Sequence, residues 1–195
     1  MYSSPSALKT SGRIELAIKR SSWSPAKWVH TECKVGDWVT FRFGGDFYYP
    51  PPDLRGEHSL LLIAGGVGIN PLQSILRHSS ELLSAGACGG PSEVSLLYTA
   101  ARAEELLFRE EISELCSRSE RIRAQYFVTK ERTGSESFTQ RRMRREDLEN
   151  ILSKSENSER QICYLCGPPG MVEQVRDWLV QLNVSAENIK YELWW

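Results

Sequence analysis

Leu60-Leu61-Leu62-Ile63-Ala64 is an unbroken apolar run. A strand that is apolar on both faces has to be covered on both faces, the situation of a central strand in a parallel sheet. The run ends in Gly65-Gly66-Val67-Gly68-Ile69-Asn70-Pro71, after which Leu72, Ile75, Leu76, Leu82 and Leu83 recur at helical spacing. The same grammar then repeats. Val94–Tyr98, Ala124–Thr129, Gln161–Leu165 and Ile189–Leu193 read as strands. Glu104–Cys116, Asp147–Leu152 and the amphipathic stretch Met171–Leu182 read as the helices between them. Strand and helix in alternation predict an α/β fold, doubly wound on a mostly parallel five-stranded sheet.

The first 54 residues follow a different pattern. Arg13–Lys19 alternates polar and apolar, Lys34–Asp37 is a turn, and Trp38–Phe43 is rich in aromatic and β-branched residues. Tyr49–Gly56 carries three consecutive prolines and cannot continue a strand ladder. The boundary falls there: an antiparallel β unit over 1–54 and an α/β domain over 55–195.

Composition excludes several classes. Among 195 residues, 24 Lys and Arg against 25 Asp and Glu leave a net charge of -1, without the basic excess of a nucleic-acid binder. No stretch of about 18 apolar residues exists, so no membrane span is expected. Met1–Pro5 shows neither signal peptide nor presequence character. Cys33, Cys88, Cys116, Cys163 and Cys166 form an odd, scattered set, which fits reduced thiols in an intracellular protein. Cys163 and Cys166 stand three apart on a strand and point to opposite faces, so they form no metal pair. His30, His58 and His78 share no ligand spacing, and no metal site is expected.

Two glycine turns carry chemistry. In Gly65–Pro71, glycines let the backbone take positive φ and let a ligand approach where a Cβ would block it. Asn70 is expected as N-cap, Pro71 as the first helical residue and Gln73 as the partner of a capping box. Free amides at such a helix start favour an anion such as a dinucleotide pyrophosphate. A tight turn needing glycine only for packing is the other reading. Cys166-Gly167-Pro168-Pro169-Gly170-Met171 is a second turn of this kind, and a parallel sheet brings both loops to one edge.

These two turns, with Leu106–Glu111 and the ending Tyr191-Glu192-Leu193-Trp194-Trp195, resemble the ferredoxin–NADP reductase superfamily. The resemblance covers residues 1–195 and is most specific from about residue 58. It implies a flavin-binding antiparallel β-barrel, here partial (1–54), ahead of an NAD-binding domain (55–195). It implies that Gly65, Gly66, Val67, Gly68, Ile69 and Asn70 bind NAD, and that Cys166, Gly167, Pro168 and Met171 line the nicotinamide pocket. Cys166 and Glu192 are the implied catalytic residues, with Trp194 and Trp195 near the flavin face. Of the family's Arg-x-Tyr-Ser flavin signature only Tyr2 and Ser3 are present, and Trp23 and Ala26 replace the glycine and hydroxyl of the second flavin motif. An N-terminally shortened form with an incomplete FAD seat is therefore expected. The implied function is transfer of hydride from NAD(P)H to a flavin; a catalytically silent NAD(H)-binding module is the alternative. Arg102 points to NADP against the family lean to NAD, and Arg141, Arg142, Arg144 and Arg145 form either a phosphate contact or a solvated basic loop. The family suggests a mitochondrial location, and no electron acceptor is readable.

Overall fold

The computed structural model describes residues 1–40, 42, 44–51, 54, 56–131, 137–155 and 160–193. Two short helices, α1 (Pro5–Ser11) and α2 (Ser24–Thr31), come first. Then β1 (His58–Gly65), α3 (Ile69–Ser84), β2 (Pro91–Ala100), α4 (Arg109–Arg118), β3 (Ile122–Val128), α5 (Arg145–Leu152), β4 (Gln161–Gly167), α6 (Pro169–Gln181) and β5 (Ile189–Leu193) alternate. The strands form one parallel sheet in the order β3-β2-β1-β4-β5.

All eight residues of β1 are buried, as the unbroken apolar run requires of a central strand. Leu60, Leu62 and Ala64 pack with Tyr98, Tyr164 and residues of α3 and α4 on one face. Leu61 and Ile63 pack with Leu148 of α5 and Val172, Val175 and Leu179 of α6 on the other. Each fully buried leucine contributes roughly 1.5–3 kcal/mol, so these two layers dominate the stability. Cys163 lies in the second layer and Cys166 in the first, on opposite faces of β4.

Three expectations meet a different local structure. Where a part-barrel is expected over 1–54, no strand lies among the described residues, and the regular elements there are α1 and α2. A strand needs a ladder partner in register. Instead the amide of Glu15 bonds to the Ser3 hydroxyl (3.3 Å) and that of Ala17 to the Asn70 side chain (3.2 Å). Second, α3 begins at Ile69 with Gly68 as its cap, because a tight turn over Gly66–Gly68 runs straight into the helix. Asn70 is therefore its second residue, and Gln73 closes no capping box; the fully buried Gln73 amide has no hydrogen-bond partner among the described residues. Third, the helix expected from Glu104 starts only at Arg109, since Phe108 takes a left-handed φ of 61°. Trp194 and Trp195 lie outside the described residues, as do Phe41 and Phe43 of the second expected strand.

Candidate functional site

The order of the strands reverses between β1 and β4, and open α/β sheets bind ligands outside the carboxyl ends of strands at such a point. Ala64 is paired with Cys166 in register, so the two glycine turns leave the sheet side by side. They touch where side chains are missing. A β-carbon on Gly68 would stand 2.2 Å from the Cys166 carbonyl oxygen, and one on Gly167 would stand 3.0 Å from the Gly65 Cα. Gly66 differs: its φ is +54° and a β-carbon there would meet nothing within 4 Å. Gly65, Gly68 and Gly167 thus serve close packing, whereas Gly66 of the first turn and Gly170 of the second are open to a ligand.

A cavity of about 670 Å³ lies over this edge, within the range of small-molecule and cofactor sites. Gly65, Gly66, Pro168, Gly170 and Met171 come from the two turns. Thr99, Ala101 and Glu105 come from the end of β2 and the turn after it, and Thr129 follows β3. Arg142 and Met143 precede α5, Gln174 and Trp178 stand on α6, and Lys19 reaches in from the N-terminal segment. The Lys19 ammonium is 3.8 Å from the Glu105 carboxylate. Both are too exposed for that pair to count for much in stability.

Tyr98 fixes the floor. Its hydroxyl is shared between the carbonyl oxygens of Gly66 and Glu105, 3.1 Å each, and accepts the amide of Leu107 at 3.1 Å. Burial pushes the Tyr98 phenol well above its ordinary pKa, so the donor stays protonated. One buried hydroxyl therefore ties the nucleotide-type turn to the turn that carries Glu105.

Of the residues expected to form the site, the structure puts Gly65, Gly66, Pro168 and Met171 on the cavity wall. Val67 lines a smaller neighbouring cavity of about 310 Å³ with Lys19 and Glu105. Ile69 and Cys166 are fully buried, and Asn70 is 4% exposed with its amide bonded to protein atoms. Glu192 is exposed and paired in register with Cys166. Arg102 is exposed, 3.4 Å from Glu104, and outside the lining. Of the arginine cluster, Arg141 forms a two-pronged pair with Asp147 (2.6 and 2.7 Å), and Arg142 faces the cavity. Tyr2 packs on Phe108 with ring centres 4.6 Å apart, and Ser3 is buried, its hydroxyl accepting the Glu15 amide. Lys19, Tyr98, Glu105, Gln174 and Trp178 were not singled out from the sequence. They come from four separate segments, and only Glu105, a carboxylate soon after the second strand, left a local signal.

An open parallel sheet with this strand order, two glycine turns at its reversal point and a cavity above them define a dinucleotide-binding α/β domain. The chain belongs to the oxidoreductase NAD-binding domain family, which it matches over residues 62–177. It is 39% identical over 201 residues to oxidoreductase NAD-binding domain-containing protein 1 of Danio rerio, covering 99% of this chain and 73% of that protein. The protein of the same name from Homo sapiens is 36% identical, with 99% of this chain and 64% of the relative covered. The chain thus spans roughly two thirds to three quarters of such relatives. Among solved structures, the flavohem-like FAD/NAD-binding domain of nitric oxide dioxygenase from Vibrio cholerae superposes with a TM-score of 0.71 at 26% identity, covering 91% of this chain and 69% of that one. The CS-b5R domains of human Ncb5or in the NAD+ form share the fold, with a TM-score of 0.69 at 18% identity over 90% of this chain and 47% of that one. The fold and sequence together make this an NAD-binding oxidoreductase domain of the ferredoxin–NADP reductase superfamily. Among the described residues no helix is long and apolar enough to cross a membrane.

Proposed function

We propose that the chain holds NADH across the carboxyl edge of its sheet and presents the nicotinamide for hydride transfer. The observation that carries this reading is the cavity at the reversal point, walled by both glycine turns and by charged groups of both signs. The open backbone at Gly66 admits the pyrophosphate, and Lys19 supplies a cation beside it. Pro168 and Met171 bound the nicotinamide end. Cys166 backs that end from inside the turn, and Glu192 flanks it on β5. Glu105 accepts hydrogen bonds from a ribose diol, which favours NAD over NADP because a 2′-phosphate would meet a carboxylate. When bound, the dinucleotide supplies the hydride; the protein supplies orientation.

The family also implies FAD, and of the described residues expected to seat it, Tyr2 and Ser3 do not fit it. The Tyr2 ring packs on Phe108 under the Arg77 guanidinium, and the Ser3 hydroxyl is engaged inside the protein. That engagement favours a second reading, an NAD(H)-binding module without turnover of its own.

Titration of the chain with NADH, followed by NADH oxidation with ferricyanide in the presence and absence of added FAD, separates the two. Saturable binding that Gly66→Trp removes, with oxidation, supports the reductase module. Binding without oxidation selects the silent module. No binding by the unaltered chain overturns both.

A further inference from the structure

Asn70 stands at the start of the helix that leaves the nucleotide turn, yet its side chain does not face the cavity. Its Oδ1 accepts the amide of Ala17 at 3.2 Å. Its Nδ2 donates to the Ala17 carbonyl at 3.1 Å and to the Val67 carbonyl at 3.0 Å. Both N–H groups of the amide are therefore committed, and at 4% exposure little else can reach them. Pairing with both backbone groups of one residue is what a neighbouring strand does in a ladder. Here a side chain supplies that rung to a segment that no strand flanks among the described residues.

The rest of α3 holds the same N-terminal region. Ser74 donates its hydroxyl to the Ser3 carbonyl (2.7 Å), and Arg77 reaches the Glu15 carboxylate (3.0 Å) and the Tyr2 carbonyl (3.1 Å). The segment ends at Lys19, two residues beyond the Asn70 rung, and Lys19 lines the cavity beside Gly66. A lysine carries a flexible stem with many rotamers, so the position of its ammonium depends on where its backbone is pinned.

We infer that Asn70 is a positioning residue that acts through Lys19. Its amide joins the Val67 carbonyl of the nucleotide turn to the Ala17 backbone, and so sets the Lys19 ammonium beside the place where the pyrophosphate lies. This rests on the dinucleotide reading above. Linkage then makes the effect reciprocal: a dinucleotide that engages Lys19 tightens the Ala17 rung.

The test uses the full chain, NADH as probe, and the variants Asn70→Ala, Lys19→Gln and the double. Each single change is expected to weaken NADH binding about tenfold, the loss of one charge-assisted contact. The double should be no worse than the weaker single, and Asn70→Ala should flatten the ionic-strength dependence of Kd as Lys19→Gln does. A merely structural asparagine would leave that salt dependence intact. Costs that multiply in the double, or full salt dependence in Asn70→Ala, overturn the inference. Amide exchange at Ala17 is the second arm: NADH should slow it in the unaltered chain and not in Lys19→Gln, and Asn70→Ala should speed it without nucleotide. Unchanged Ala17 exchange in Asn70→Ala overturns the rung itself. Absence of NADH binding overturns the dinucleotide reading and Lys19's role with it, while exchange measured without nucleotide still decides the rung.

Discussion

Gly68 passes Cys166 so closely that a β-carbon on it would stand 2.2 Å from the Cys166 carbonyl oxygen. Backbone, not a flexible side chain, fills that space, so relief requires one of the two turns to move. Gly68→Ala is expected to destabilise the fold by about 1–3 kcal/mol, the range of overpacked sites. Gly66→Ala meets no clash but a positive φ, and is expected to cost about 1–2 kcal/mol. Urea unfolding of both variants checks the order; equal stability of Gly68→Ala and the unaltered chain would show that the turns are not interlocked.

Tyr98→Phe removes one hydroxyl and leaves the Gly66 and Glu105 carbonyls and the Leu107 amide without it. The Leu107 amide keeps its bond to the Glu105 carbonyl and the Gly66 carbonyl keeps that from the Ile69 amide, so the cost is that of lost hydrogen bonds, about 0.5–1.5 kcal/mol. A lower melting temperature together with weaker NADH binding is the expected outcome. Loss of stability with unchanged Kd would separate Tyr98 from the site.

Glu105→Gln removes the carboxylate that would repel a 2′-phosphate. The ratio of NADPH to NADH affinity is expected to rise about tenfold, measured by competitive titration. An unchanged ratio would place dinucleotide choice elsewhere in the cavity.

His58 is fully buried, with Nδ1 3.3 Å from the Gly56 carbonyl and Nε2 2.9 Å from the Tyr49 hydroxyl. Nδ1 donating and Nε2 accepting is the neutral tautomer. Burial holds its pKa below the ordinary histidine value, with the Gly56 bond opposing. The unfolded chain therefore takes up this proton at higher pH than the folded one, and stability falls as pH drops below about 6.5. Urea midpoints between about pH 7.5 and 5 should show this decline, reduced in His58→Gln.

The strands were legible wherever burial on both faces leaves an unbroken apolar run, as in Leu60–Ala64 and Ile162–Leu165. Helices were legible by period, though Phe108 delayed one of them by a backbone conformation that no apolar pattern encodes. Arg13–Lys19 alternates like a strand, and alternation cannot reveal whether a ladder partner exists; its backbone bonds go to the Tyr2 amide and to the Ser3, His30 and Asn70 side chains. For the site, the glycines marked the edge of the sheet. Their division into packing glycines and glycines open to a ligand depends on how two turns a hundred residues apart meet. Lys19, Tyr98 and Trp178 converge only through the tertiary fold.

The contact between the two turns also constrains how such a domain diverges. Because a β-carbon on Gly68 would meet the Cys166–Gly167 backbone and one on Gly167 the Gly65 backbone, neither turn acquires a side chain at these positions while the other keeps its path. Substitutions in the two loops should therefore arrive as coupled pairs across the family, and a lone replacement in one of them should mark a lineage in which the second loop has been rebuilt.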